Sequence, residues 1–137
     1  MPHPDLEAAL ASVPFLAPIG VGVAEASTGR IVLKIPADKR TRDFEGNVAS
    51  GALFVVGELA ATLALASHPD MVGRVVRRKH ASIEYANATN RPLLAVAEVG
   101  LLPDLQDEEP EVRVVTRVMD RDEVVATVCA GFTVPKK

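Results

Sequence analysis

The sequence predicts an α+β fold, a mainly antiparallel sheet of about six strands wrapped around one long central helix. Three observations carry this. Ala49 to Ser67, ASGALFVVGELAATLALAS, is apolar almost throughout with one charge, Glu58, at its middle, and a helix that is apolar all round belongs inside a protein. The segments on both sides alternate apolar and polar residues as half-buried strands do. Their order is helix, two strands, long helix, four strands, which suits a sheet closing over the single long helix. That helix could reach across a bilayer, but a carboxylate at the centre of a membrane span costs roughly 2.5 to 3.5 kcal/mol or more, and no basic flanks anchor it. A buried helix in a soluble domain is therefore expected.

The elements follow in order. Asp5 to Val13 places Leu6, Ala9, Leu10 and Val13 at helical spacing behind a cap at Asp5, a short amphipathic helix. Phe15 to Ala26 mixes Pro18, Gly20 and Gly22 with Val and Ile, and reads as a bent first strand beginning near Ile19. A turn at Ser27-Thr28-Gly29 leads into Arg30 to Pro36, where Ile31, Leu33 and Ile35 alternate with Val32 and Lys34, so the two strands make a hairpin. Ala37 to Val48, ADKRTRDFEGNV, is polar and aperiodic, a loop in front of the helix, where binding residues are often carried. His68-Pro69-Asp70 stops the helix. Val72 to Ala88 is the next strand region, and Asn87 to Pro92 breaks it. Leu93 to Leu102, Glu111 to Met119 and Val124 to Val134 are three further strands, separated by the acidic loop Pro103 to Pro110 and the tight turn Asp120 to Glu123.

With 137 residues and no internal repeat or linker, the chain reads as one domain, 1–137. Aromatic residues are 4% with no Trp, and net charge is −3, which disfavours a nucleic-acid module that would need stacking platforms and a basic surface. Cys129 is the one cysteine, so no internal disulfide forms and a reducing compartment is expected. The first residues, MPHPDLEAALASV, lack a basic stretch followed by an apolar one, so the expectation is a cytoplasmic protein without a secretion signal. Three His without a His-x-x-x-His or Cys pairing give no metal signature, and no phosphate-cradling glycine loop occurs.

The order of elements, together with DFEGNVASGALFVVGELAATLA, resembles the hotdog-fold acyl-CoA thioesterases of the phenylacetic-acid-degradation type, whose motif reads approximately N-x-x-G-T-x-H-G-G-A-x-x-x-x-x-D/E. On that resemblance Gly46 and Gly51 match family glycines, and Glu58 falls on the catalytic carboxylate. Asp43 stands where the family has Asn or Gln, Ala49 replaces a common His, and Ser50 replaces the first glycine of the pair, whose amide is the usual oxyanion donor. Ser50 and Glu58 also resemble the Thr and Glu of the fluoroacetyl-CoA thioesterase branch, which adds a His from a later strand; His80 is the His placed for that part.

What the resemblance implies is hydrolysis of an acyl thioester to free acid and coenzyme A without metal or redox cofactor. The site would lie across a homodimer interface, with a tetramer of two dimers as an extension and with neither nucleic acid nor membrane as partner. Glu58 would be base or nucleophile, the Ser50 and Gly51 N–H groups the oxyanion donors, and Asp43, Asn47 and His80 polar helpers. The densest basic cluster, Arg74, Arg77, Arg78 and Lys79, would hold the nucleotide phosphates; Lys39, Arg40 and Arg42 on the loop are the next densest. The physics agrees: a helix N-terminus offers unpaired N–H groups and partial positive charge to a developing oxyanion. Desolvation would make Glu58 a better base toward water, or leave it a nucleophile toward the acyl carbonyl. Ser50 and Glu58 stand roughly 12 Å apart along one helix and do not touch as neighbours within it; the resemblance implies that the carboxylate comes from the opposite subunit to the oxyanion donor.

Each residue has a plainer reading. Glu58 can be a partnered structural carboxylate, Ser50 an N-cap, Asp43 a loop brace and His80 an exposed strand residue. The arginine-rich strand can be a solvated, charge-protected edge. Cys129 reads as a core residue. A non-catalytic acyl- or ligand-binding domain of the same fold is the alternative function. A dehydratase of that fold lacks its Asp/His pair here.

Overall fold

Period-two alternation becomes strand because successive side chains point to opposite faces, and it is cleanest over Glu111 to Asp120, where every second residue is buried. The computed structural model describes residues 4–106 and 110–135. Helix α1 (Pro4–Ala11) precedes the hairpin of β1 (Gly22–Ser27) and β2 (Arg30–Ile35). Then come the long helix α2 (Ser50–Ala66) and the strands β3 (Arg77–Tyr85), β4 (Leu93–Glu98), β5 (Glu111–Asp120) and β6 (Glu123–Thr133). All pair antiparallel in one six-stranded sheet, order β1-β2-β4-β5-β6-β3. Its edges are therefore β1 and β3.

Helix α2 lies against the middle of this sheet and buries Ala52, Leu53, Val56, Gly57, Ala60, Ala61, Ala64 and Leu65. Small residues let it come close. A Cβ on Gly57 would stand 2.5 Å from Cγ2 of the fully buried Val128, and the Thr116 hydroxyl donates to the Gly57 carbonyl at 2.8 Å. The glycine thus brings the helix onto β5 and β6 one residue before Glu58. Gly57→Ala is expected to cost about 1–3 kcal/mol by overpacking, outweighing its gain in helix propensity. Denaturant unfolding checks this, and an unchanged or raised midpoint would show that the layer gap is not tight. Among the described residues, no helix is long and apolar enough to cross a membrane.

The structure moves several boundaries. The first strand starts at Gly22, not near Ile19, because Pro14 and Pro18 cannot donate and Val13 to Gly20 instead folds into successive turns, with Leu16 N–H on Val13 O and Ile19 N–H on Leu16 O, both at 3.0 Å. The strand expected from Val72 begins only at Arg77, because a 3-10 turn, Pro69–Met71, and the left-handed Gly73, φ 74, occupy the chain before it. The strand from Leu93 ends at Glu98, where Val99 N–H turns to Gly29 O at 2.7 Å. Part of the expected acidic loop Pro103 to Pro110, residues 107–109, lies outside the described residues.

At the end of β5 the Asp120 side chain, 4% exposed, accepts from Arg91 Nη2 at 2.7 Å and from the Thr89 hydroxyl at 2.9 Å, tying the β3–β4 connection to the sheet. The Arg91 hydrogen bond, helped by Thr89, holds the Asp120 carboxyl below its ordinary range against the opposing effect of burial. A carboxylate lowered in this way stabilises the fold above its unfolded-state pKa, and that contribution disappears as pH falls through the folded value. Asp120→Asn should therefore lower the thermal midpoint at pH 7, and the gap to wild type should close in strong acid. A gap that stays constant with pH would refute the ion pair's contribution.

Candidate active site

The loop before α2 is built by Asp43. Its Oδ1 accepts from Glu45 N–H at 2.9 Å and Asn47 N–H at 3.1 Å, its own N–H meets Asn47 O at 2.8 Å, and Gly46 takes φ 83 to close the turn. Bracing is thus a role Asp43 does fill. The turn delivers the chain into α2 with Ala49 as a cap residue that has no side-chain cap bond, so Ser50 is the first helical residue and not the cap. Ser50 and Gly51 are exposed, and no acceptor within the described chain engages their N–H groups. Asp43, Asn47 and Ser50 line one cleft of about 280 Å³, closed on its other side by Tyr85 to Ala88 at the end of β3.

Glu58 opens on a different cleft. It measures about 220 Å³ and is lined by Phe54 and Glu58 of α2, Arg78 to Ala81 of β3, and Ala130 to Phe132 of β6. The Glu58 side chain is 21% exposed, accepts from Arg78 Nε, and has the Thr62 hydroxyl 3.0 Å from Oε1. It is therefore a carboxylate that both faces a cleft and has a partner in Arg78. Thr62, one turn beyond Glu58, was visible at i+4 spacing as a residue able to reach it.

A bulge at Lys79 shifts the register, so that Arg78 pairs with Phe132 but His80 with Gly131. The His80 ring takes the space left by the missing side chain, its Cε1 and Nδ1 lying 2.6 Å from where a Cβ on Gly131 would stand. Since Val128 faces α2 and Ala130 and Phe132 are buried with it, Gly131 faces the other side of the sheet, and so does the imidazole. His80 borders the Glu58 cleft in sequence while its ring turns away from Glu58 toward Glu111. A glycine inside the apolar strand run was the signal for such a close approach.

The basic residues separate in the same way. Arg78 engages Glu58, and Lys79 donates to Glu111 Oε2 at 3.1 Å. Lys79 holds the Glu111 carboxyl below its ordinary range, with smaller help from Arg113 and His80. Arg77 is exposed and makes no ion pair among the described residues. On the loop, Arg40 grips Asp38 at 2.6 Å and holds that carboxyl down at about 2. Cys129, read as core, is half-buried on the sheet face away from α2, between Ser82 and Val115 in register.

A long helix packed against one six-stranded antiparallel sheet is the hotdog fold. The chain itself belongs to the family described as a domain of unknown function, DUF4442, which matches residues 6–134. Solved structures agree on the fold. A protein of unknown function and probable thioesterase, PA5026 from Pseudomonas aeruginosa, superposes with a TM-score of 0.86 at 18% identity, over 100% of this chain and 99% of that one. Zebra fish thioesterase superfamily member 2 gives 0.79 at 15% identity, over 97% and 98%. A mutant of the phenylacetic acid degradation protein PaaI from Thermus thermophilus gives 0.72 at 17% identity, over 88% and 97%. No curated protein matches the sequence.

Proposed function

We propose that the chain is a thioesterase that hydrolyses an acyl-CoA or related thioester at a site shared by two copies. One observation carries this reading: the two halves of the site line separate clefts at opposite ends of the same edge strand, Glu58 beside Arg78 to Ala81 and Ser50 beside Tyr85 to Ala88. Strand β3 has a bare edge nine residues long, and such edges are covered in native proteins. An antiparallel, two-fold pairing of β3 with its copy would set the beginning of one β3 beside the end of the other. Each Glu58 cleft would then meet the Ser50 cleft of the second copy, giving a homodimer with two equivalent sites. The exposed Tyr85 and Phe44, 54% and 110%, are the apolar surface such a contact would cover.

In this reaction water attacks the thioester carbonyl carbon while Glu58 takes its proton, and the carbonyl oxygen becomes an oxyanion held by the Ser50 and Gly51 N–H groups. Collapse breaks the C–S bond, and the thiolate of coenzyme A recovers the proton from Glu58. The Ser50 hydroxyl and Asn47 are within the same cleft as these donors and would orient the acyl carbonyl. Arg77, Arg78 and Lys79 would meet the phosphates at the mouth, and Thr62 and Arg78 would aim the carboxylate. The chemistry needs no metal or redox group, and the expected setting is the cytoplasm.

A non-catalytic acyl-binding role is the second reading, favoured by the Arg78 ion pair on Glu58 and by Asp43 serving the loop. Release of free thiol from short, medium and aromatic acyl-CoAs, measured beside the native mass of the particle, separates the two. We expect turnover of at least one class by a particle of twice the chain mass. Saturable binding without any release would establish the binding domain instead.

A further inference from the structure

A cavity of about 830 Å³, larger than either cleft and sharing no residue with them, opens where β1, β2 and β4 meet the β5–β6 turn. Its floor is apolar. Leu94, 40% exposed, pairs with Lys34 on one side and Met119 on the other, so the three side chains stand in a row on the sheet face away from α2. Volumes of this size accept drug-sized ligands.

Two cations stand at this floor. Lys34 lies over the bare backbone of Gly22, where a Cβ would come within 2.7 Å of its Cε. Arg121 holds φ 57, a left-handed conformation that glycine adopts freely and an arginine does not. Neither side chain makes a hydrogen bond or a salt bridge among the described residues, Arg121 lying only within electrostatic reach of Asp120, which Arg91 already engages. The two carboxylates of the lining are engaged: Glu7 accepts from Val23 N–H at 2.8 Å, and Asp38 from Arg40. With Arg40 counted, the cavity keeps a surplus of one positive charge, which suits a single negative charge and not a phosphate dianion. Lys34 and Arg121 both line the cavity, Arg121 two residues beyond Met119, whose Cα is two strand spacings, about 10 Å, from that of Lys34; long basic side chains on one cavity can converge on one small anion.

We propose that this cavity binds an amphipathic monoanion, a carboxylate with an apolar chain of medium length, its head between Lys34 and Arg121 and its chain over Leu94 and Met119. The site is independent of the proposed hydrolysis, and its test does not read turnover.

The test is calorimetric titration of the full chain with decanoate, and with 1-decanol as the uncharged counterpart. Wild type should bind decanoate saturably. Lys34→Gln and Arg121→Gly should each weaken that binding roughly tenfold while leaving decanol unaffected. Arg121→Gly removes the left-handed strain, so its thermal midpoint should equal or exceed that of wild type, which separates lost binding from lost fold. Binding that ignores both substitutions, binding lost on Glu58→Gln instead, or no saturable binding would overturn the proposal. A Leu94→Arg variant that halves the native mass would assign this face to a second copy and overturn it as well.

Discussion

Glu58→Gln should reduce kcat/KM for thioester hydrolysis by about 10²–10⁴-fold, the range contributed by a positioned general base. The amide keeps the size of the side chain and can still meet the Thr62 hydroxyl, so what is lost is charge and basicity and not packing. The side chain is 21% exposed on a cleft wall, so the fold should survive and the thermal midpoint should move little. Thiol release by purified variant and wild type, with the two melting curves side by side, provides the measurement. Activity retained within a few fold in a folded variant would remove Glu58 from the chemistry. Arg78 would then be what it also resembles, the partner of a structural carboxylate.

Phe132→Ala is expected to have the largest effect on stability, about 3–5 kcal/mol. The ring is fully buried, sits between Arg78 on β3 and Val112 on β5 in register, and forms part of the wall behind Glu58. Truncation removes its transfer free energy and leaves a void that the strands on both sides cannot close. Against total stabilities of roughly 5–15 kcal/mol that loss is a large fraction, and the thermal midpoint should drop by on the order of 10 °C or more. A drop of only a degree or two would mean that the edge of the sheet repacks around the gap.

Much of the architecture was legible along the chain because its signals are local. Ala49 to Ser67 reads as a buried helix, and it is one over Ser50–Ala66. The alternation from Glu111 to Val134 could only be two strands joined by a tight turn, and β5 and β6 pair through Asp120 and Glu123. Glu58 stood out because a charge inside an apolar helix needs a reason. The differences fell where local pattern competes with something else: turns around Pro14 and Pro18 that keep Ile19 and Gly20 out of the first strand, and a glycine that delays β3 past Val76.

The candidate site was legible as residues but not as geometry. Glu58 and Ser50 came from one helix, yet the sheet order that places β3 beside β6, leaving both clefts along one bare edge, depends on pairings between residues far apart in sequence. The bulge that turns the His80 ring over Gly131, and the reach of Arg78 to Glu58, are likewise products of that pairing. Sequence alone determined what each segment would be, because periodicity, turn residues and burial cost act within a few residues. Which segments meet, which face a side chain takes, and which charge neutralises which were decided only by the tertiary structure, because hydrogen-bonded register and packing are settled between strands and not within them.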